Sequence, residues 1–214
     1  MQKDLTLSLL RGNVWLQSVL LGLVLVFVFS LARPVGERLA LTYAPTVFWI
    51  TSCFALVLIF NGLYLLEQEN QIKETLFLSP LIPQEIWLAK AGVGLVLLLL
   101  VQLVILLAVL VFLNQKIVSF SFPLFLFFLA IDLGLVWIGS LLGALSYGHE
   151  IKESFLSLLI FPLLIPLLLA GIKLGEAGLG ASVDLKTWAQ LTIAFDLIFL
   201  GGGFILFPFI FGGD

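Results

Sequence analysis

WLAKAGVGLVLLLLVQLVILLAVLVFL, residues 87–113, is the stretch that decides the fold. It is almost continuous hydrocarbon, and it exceeds the ~20 helical residues that span about 30 Å of lipid. Five further apolar runs flank it, at 14–31, 44–66, 122–147, 155–174 and 188–211. Hydrophobic residues make up 62% of the chain and charged residues 11%, against roughly 25% charge in a soluble domain. A soluble fold of this size has no interior that could hide so much Leu, Phe, Val and Ile. The runs are unbroken and lack period-two polarity, which argues against a β-barrel. The expectation is an all-α polytopic membrane protein, a single transmembrane domain over 1–214 with six spans.

The first run follows Lys3 and Arg11. It is too long for a signal-peptide core and no A-x-A site follows it, so it reads as a retained first span. Trp15, Trp49, Trp87 and Trp188 fall near span ends, where interface anchors belong, and Trp137 falls mid-span. An even number of spans puts both termini on one side. That side then carries Lys3, Arg11, Lys73, Lys90 and Lys152, and the opposite side Arg33, Arg38, Lys116, Lys173 and Lys186. The positive-inside rule therefore returns a tie and orients nothing.

Just before the long run lies the chain's conspicuous polar stretch, EQENQIKETLFLSPLIPQEIWLAK, residues 67–90. Glu67, Asn70 and Glu74 share a helical face, with Ile72, Leu76 and Phe77 as its apolar counterpart, which suits a short helix lying in the interface. Glu69 and Lys73 stand in the favoured i, i+4 order. Ser79-Pro80 stops that helix. Pro83-Gln84-Glu85 starts the next, with an acid in its first turn. Two prolines and an apolar face favour a docking surface over a plain solvated connection.

Other residues invite chemistry without composing a site. Asp132 and Asp196 fall inside spans, where an ionisable group faces a bundle interior or a wet path. Asn61 is placed to hydrogen-bond to either. Pro162 and Pro166 bend the fifth span, either as architecture or at a break, and Gly171, Gly175, Gly178 and Gly180 suggest a chain turning back. Gly139 and Gly143 form a packing seam, and 201–203 are three glycines in a row. His149, the single histidine, sits in a turn, and Cys53 reads as a small packing residue. No G-x-x-x-x-G-K-[ST] loop is present, so any ATP hydrolysis belongs to a partner. Nothing points to nucleic acid.

TSCFALVLIFNGLYLLEQEN at 51–70, KETLFLSPLIPQEIWLAK at 73–90 and SLLIFPLLIPLLLAG at 157–171 together resemble the haem exporter protein B family. That family supplies the membrane subunit of the cytochrome c maturation ABC transporter. The most specific pieces are LxLSPLxPxxxxLAK at 76–90 and FPLLIPLLL at 161–169. The resemblance implies a type-2 ABC exporter permease in the bacterial inner membrane, both termini cytoplasmic, with 67–85 as an interfacial coupling helix. Glu67, Glu69, Lys73, Glu74, Pro80, Pro83 and Glu85 would then meet an ATP-binding cassette subunit. Further partners would be a haem-handling membrane protein, a small membrane subunit and a haem chaperone, with a homodimer or one copy beside other membrane subunits. ATP is used by the partner, haem is handled by the complex, and this chain is expected to bind neither cofactor directly. The family's acidic-Gly pair is missing here, where the chain reads Asn70-Gln71-Ile72-Lys73-Glu74. The alternatives are an exporter of another hydrophobic cargo and a non-transporting scaffold.

Overall fold

A computed structural model describes residues 14–32, 40–69, 82–118, 121–148 and 153–212. Side chains at 65–69, 146–148, 153–161 and 210–212 are outside that description. The described residues form six helices: α1 Val14–Leu31, α2 Tyr43–Glu69, α3 Pro83–Phe112, α4 Phe122–Gly148, α5 Glu153–Gly178 and α6 Leu185–Gly212. Each apolar run coincides with one helix, and no strand occurs among the described residues. Five helices, all but α5, are long and apolar enough to cross a membrane by length and composition. The all-α, membrane-embedded expectation therefore holds.

In hydrocarbon a backbone must satisfy its own hydrogen bonds, so long apolar sequence becomes helix. α2 and α4 form the centre, with Leu56, Ile59 and Phe60 of α2 packed where α3 and α4 converge. α1 lies outside, against α2 and α3, and α6 lies outside, against α4, α5 and α3. Their outer faces present Leu20, Val24 and Val28, and Leu197, Ile198 and Ile205, as a lipid-facing surface requires. The seam expected at Gly139 and Gly143 is the α4 surface against α2. Gly139 faces Phe60 and Leu56, and Gly143 faces the Tyr64 ring.

Helix ends are closed by partners. Orphan carbonyls at a C-terminus need donors. The Tyr43 hydroxyl donates to the Phe29 carbonyl of α1 over 2.8 Å, and the Ser30 hydroxyl to the Phe112 carbonyl of α3 over 3.0 Å. These two bonds bind the end of α1 to the start of α2 and the end of α3. α5 closes with Ala181 N–H donating to the Glu176 carbonyl and Gly180 N–H to the Ala177 carbonyl. This is a Schellman closure, and Gly180 supplies its left-handed residue at φ 95°. The chain therefore turns back at Gly180, while Gly171 and Gly175 remain helical against Trp49 and Pro45. α5 runs unbroken through Pro162 and Pro166. Pro166 lacks the N–H that would meet the Pro162 carbonyl, so the helical ladder has a gap there.

Two of the four expected interface tryptophans are core residues instead. Trp49 is 2% exposed and Trp87 is 0% exposed. Proximity to a helix end in sequence misleads here, because neighbouring helices extend past both positions and cover them.

Candidate functional site

The expected coupling segment is described only at its two shoulders. α2 continues through Glu69, so the backbone of Glu67 and Glu69 lies in its last turns. α3 opens with Ile82 in extended geometry as its N-cap and Pro83 at its first position, where a missing N–H costs nothing. Glu85 is exposed in that first turn, and its N–H donates to the Ile82 carbonyl over 2.9 Å. The carboxylate stands at the positive end of the helix dipole. Lys73, Glu74 and Pro80 lie outside the described residues, as does His149.

What the second shoulder feeds into is unusually well held. Trp87, one turn into α3, is enclosed by rings from two other helices. Its centroid is 5.3 Å from that of Trp137 in α4, 5.8 Å from Phe204 and 6.4 Å from Phe207 in α6. Gly203 leaves room for it: a Cβ there would collide with the indole. Gly201 and Gly202 face open space, so only the third glycine of the run is needed for close approach. Lys90, one turn further, is 3% exposed, and its Nζ sits 3.9 Å above the Tyr64 ring centroid of α2. The Tyr64 hydroxyl donates in turn to the Ser140 carbonyl of α4 over 3.0 Å. An ammonium over a ring is attractive, and more so out of water. The first two turns of α3 thus grip α2, α4 and α6 together.

The intramembrane polar residues separate. Asp132 is fully buried, and the Gln102 side chain of α3 donates to it from Nε2 to Oδ1 over 2.8 Å. Asn61, expected to pair with one of the acids, is exposed on α2, so Gln102 takes that part. Asp196 approaches the opposite side of α4: its Oδ1 lies against Gly134 and has no hydrogen-bond partner among the described residues. Two residues on a helix differ by about 200°, so Asp132 and Gly134 face away from each other. The two acids therefore do not form one site. Buried hydroxyls elsewhere mostly bond within their own helix, Ser18 to the Val14 carbonyl and Ser52 to the Phe48 carbonyl. Cys53 is a free, buried thiol.

Beyond the middle of α5, Lys173 and Glu176 form an i, i+3 ion pair at 3.0 Å. Asp184 caps α6: its carboxylate accepts from the Thr187 hydroxyl at 2.6 Å and from the Lys186 N–H at 3.2 Å. The Thr187 bond, above all, holds that carboxyl below its ordinary pKa. Among the described residues no group of three or more His, Cys, Asp or Glu side chains could hold a metal.

A bundle of long apolar helices whose outer faces carry Leu, Val and Ile is a polytopic membrane protein. The chain belongs to the CcmB family, whose model, described as CcmB protein, matches residues 1–212. It is accordingly a membrane component of the ABC transporter for haem export in cytochrome c maturation, and not itself the catalytic part. Neither the curated proteins nor the solved structures include a match.

Proposed function

We propose that this chain is the permease subunit through which a partner ATPase does work on the bacterial inner membrane, on a type-2 exporter plan. All six helices cross the bilayer, α5 included, since residues 154–178 hold only Lys173 and Glu176 as charges. Both termini and the 67–85 segment lie in the cytoplasm, and the ATP-binding cassette subunit docks on that segment through Glu67, Glu69, Lys73, Glu74, Pro80, Pro83 and Glu85. The output is haem delivery or release of the haem-loaded chaperone, with haem held by other members of the complex.

One observation carries this reading. The α3 turn that continues the segment is gripped by Trp87 against α4 and α6 and by Lys90 against α2. Displacement of the segment is therefore delivered to most of the bundle at once.

Paired variants test it. Glu74→Lys is expected to lose both co-purification of the ATPase and haem-stained cytochrome c. Lys90→Met removes a cation–π contact worth about 0.5–2 kcal/mol. It is expected to keep the ATPase bound while cytochrome c falls. Normal ATPase association and normal cytochrome levels in both variants would overturn the proposal. Labelling of Ser79→Cys from the outer side alone would reverse the orientation.

A further inference from the structure

The contact between α3 and α4 leaves two oxygens over. Gln102, 2% exposed, donates from Nε2 to Oδ1 of Asp132, which is 0% exposed, across 2.8 Å. Gln102 Oε1 and Asp132 Oδ2 are both covered by protein, and neither has a hydrogen-bond partner. Buried polar atoms are ordinarily paired. An ionised carboxylate only accepts, so it offers nothing to the amide oxygen.

No countercharge among the described residues compensates Asp132. The helices packed on α4 are α2, α3, α5 and α6. α2 brings Cys53, a buried free thiol, within electrostatic reach. On α3, Lys90 lies over Tyr64, about 18 Å along the helix from Gln102, and Glu85 is further still. On α5, Lys173 pairs with Glu176 at 3.0 Å. On α6, Asp196 packs on Gly134, which faces away from Asp132, and Asp184 and Lys186 belong to the exposed cap. A lone ionised carboxyl in an apolar interior is costly, and it neutralises by taking a proton. A protonated carboxyl is a donor as well as an acceptor, which makes it complementary to a primary amide.

We propose that Asp132 is a resident proton site: it stands in the folded protein as the neutral acid, accepting from Gln102 at Oδ1 and donating from Oδ2 to Gln102 Oε1. One proton then removes the charge and partners both leftover oxygens. Its loss would set a bare carboxylate beside a bare amide oxygen, so the joint between α3 and α4 is a pH-sensitive latch. The latch is independent of the coupling surface and of haem handling. The chain takes up this proton as it folds. Above the ordinary carboxyl value near 3.9 the unfolded chain binds fewer protons than the folded one. Stability therefore falls as the pH rises, by up to about tenfold in the folded-to-unfolded ratio per pH unit, until the folded acid ionises.

The test uses the full chain in dodecyl maltoside, with aspartate carbon-13 labelled at the side-chain carboxyl. At neutral pH the infrared spectrum is expected to hold an isotope-sensitive carbonyl band of a protonated carboxyl that is lost in Asp132→Asn. In Gln102→Leu that band is expected to shift to higher frequency or to vanish. Asp132→Asn, isosteric with the neutral acid, is expected to lose one proton's worth of pH dependence when unfolding in mixed detergent is followed from about pH 5 to 8. A wild-type spectrum without any protonated-aspartate band, which needs no variant, would overturn the proton site. So would a band that persists whole in Asp132→Asn, or equal pH slopes for the two proteins. A band unmoved in Gln102→Leu would give the proton's hydrogen bond to a buried water and overturn the latch.

Discussion

Gln102 and Asp132 join α3 to α4 through a single buried side-chain hydrogen bond of 2.8 Å. Within a membrane such bonds contribute about 0.6 kcal/mol on average and up to ~1.7. Gln102→Leu is expected to destabilise the protein within that range, because it also strips Asp132 of its donor. Asp132→Asn keeps an acceptor for Nε2 and should cost less. Gln102→Leu combined with Asp132→Leu should cost less than the sum of the single changes, since no buried polar group is then left alone. Unfolding in mixed detergent, followed for all of these variants and for Asp132→Leu alone, measures this. Strict additivity would mean the bond does not couple the helices.

Gly203 lies under the Trp87 indole, whereas Gly201 and Gly202 meet nothing. Gly203→Ala is expected to cost about 1–3 kcal/mol through overpacking. Gly201→Ala and Gly202→Ala should be nearly neutral. Trp87→Leu in the Gly203→Ala background should recover part of the loss by making room. Thermal unfolding of the purified protein distinguishes the three glycines, and equal effects at all three would contradict the contact.

Asp184 gives a pH dependence of definite sign. Its carboxyl is held below the ordinary value near 3.9 in the folded protein. The cap therefore contributes fully above the unfolded pKa and is lost as the pH falls through the lower, folded one. Asp184→Ala should melt earlier than wild type at neutral pH, and the gap should close as the medium is acidified below about 4. Melting curves for the two proteins across roughly pH 3 to 7 check this, and a gap that stays constant would deny the carboxylate its capping role.

The bundle was legible because its signal is length and hydropathy, which need no tertiary knowledge. Where helices begin was legible from Pro83, whose missing N–H suits only a first turn. What stayed hidden is which face each helix turns inward. In water an apolar stripe opposite a polar one marks the inner face, and that contrast vanishes when lipid and core are both apolar. Trp49 and Trp87 therefore read as anchors and are core. Asp132 was visible as a costly group, but its partner was sought at Asn61. The better clue was Gln102, the one amide within the longest apolar run. Lys90 stood out only by matching a family position, and Tyr64, which lies beneath it, carried no signal. Of the coupling residues, Lys73, Glu74 and Pro80 lie outside the described residues, so their placement rests on periodicity and on the family.

α3 has a further consequence. At 30 residues it is about 45 Å long. Trp87 and Lys90 hold it near one end, and Gln102 holds it two-thirds of the way along. Its far end is tied to α1 by Ser30, and the chain just beyond it is tied to α5 by the Val118 N–H on the Gly178 carbonyl at 3.0 Å. A rod held at both ends and in between cannot tilt alone, so a push at Pro83 has to carry α1, α2, α4 and α6 with it.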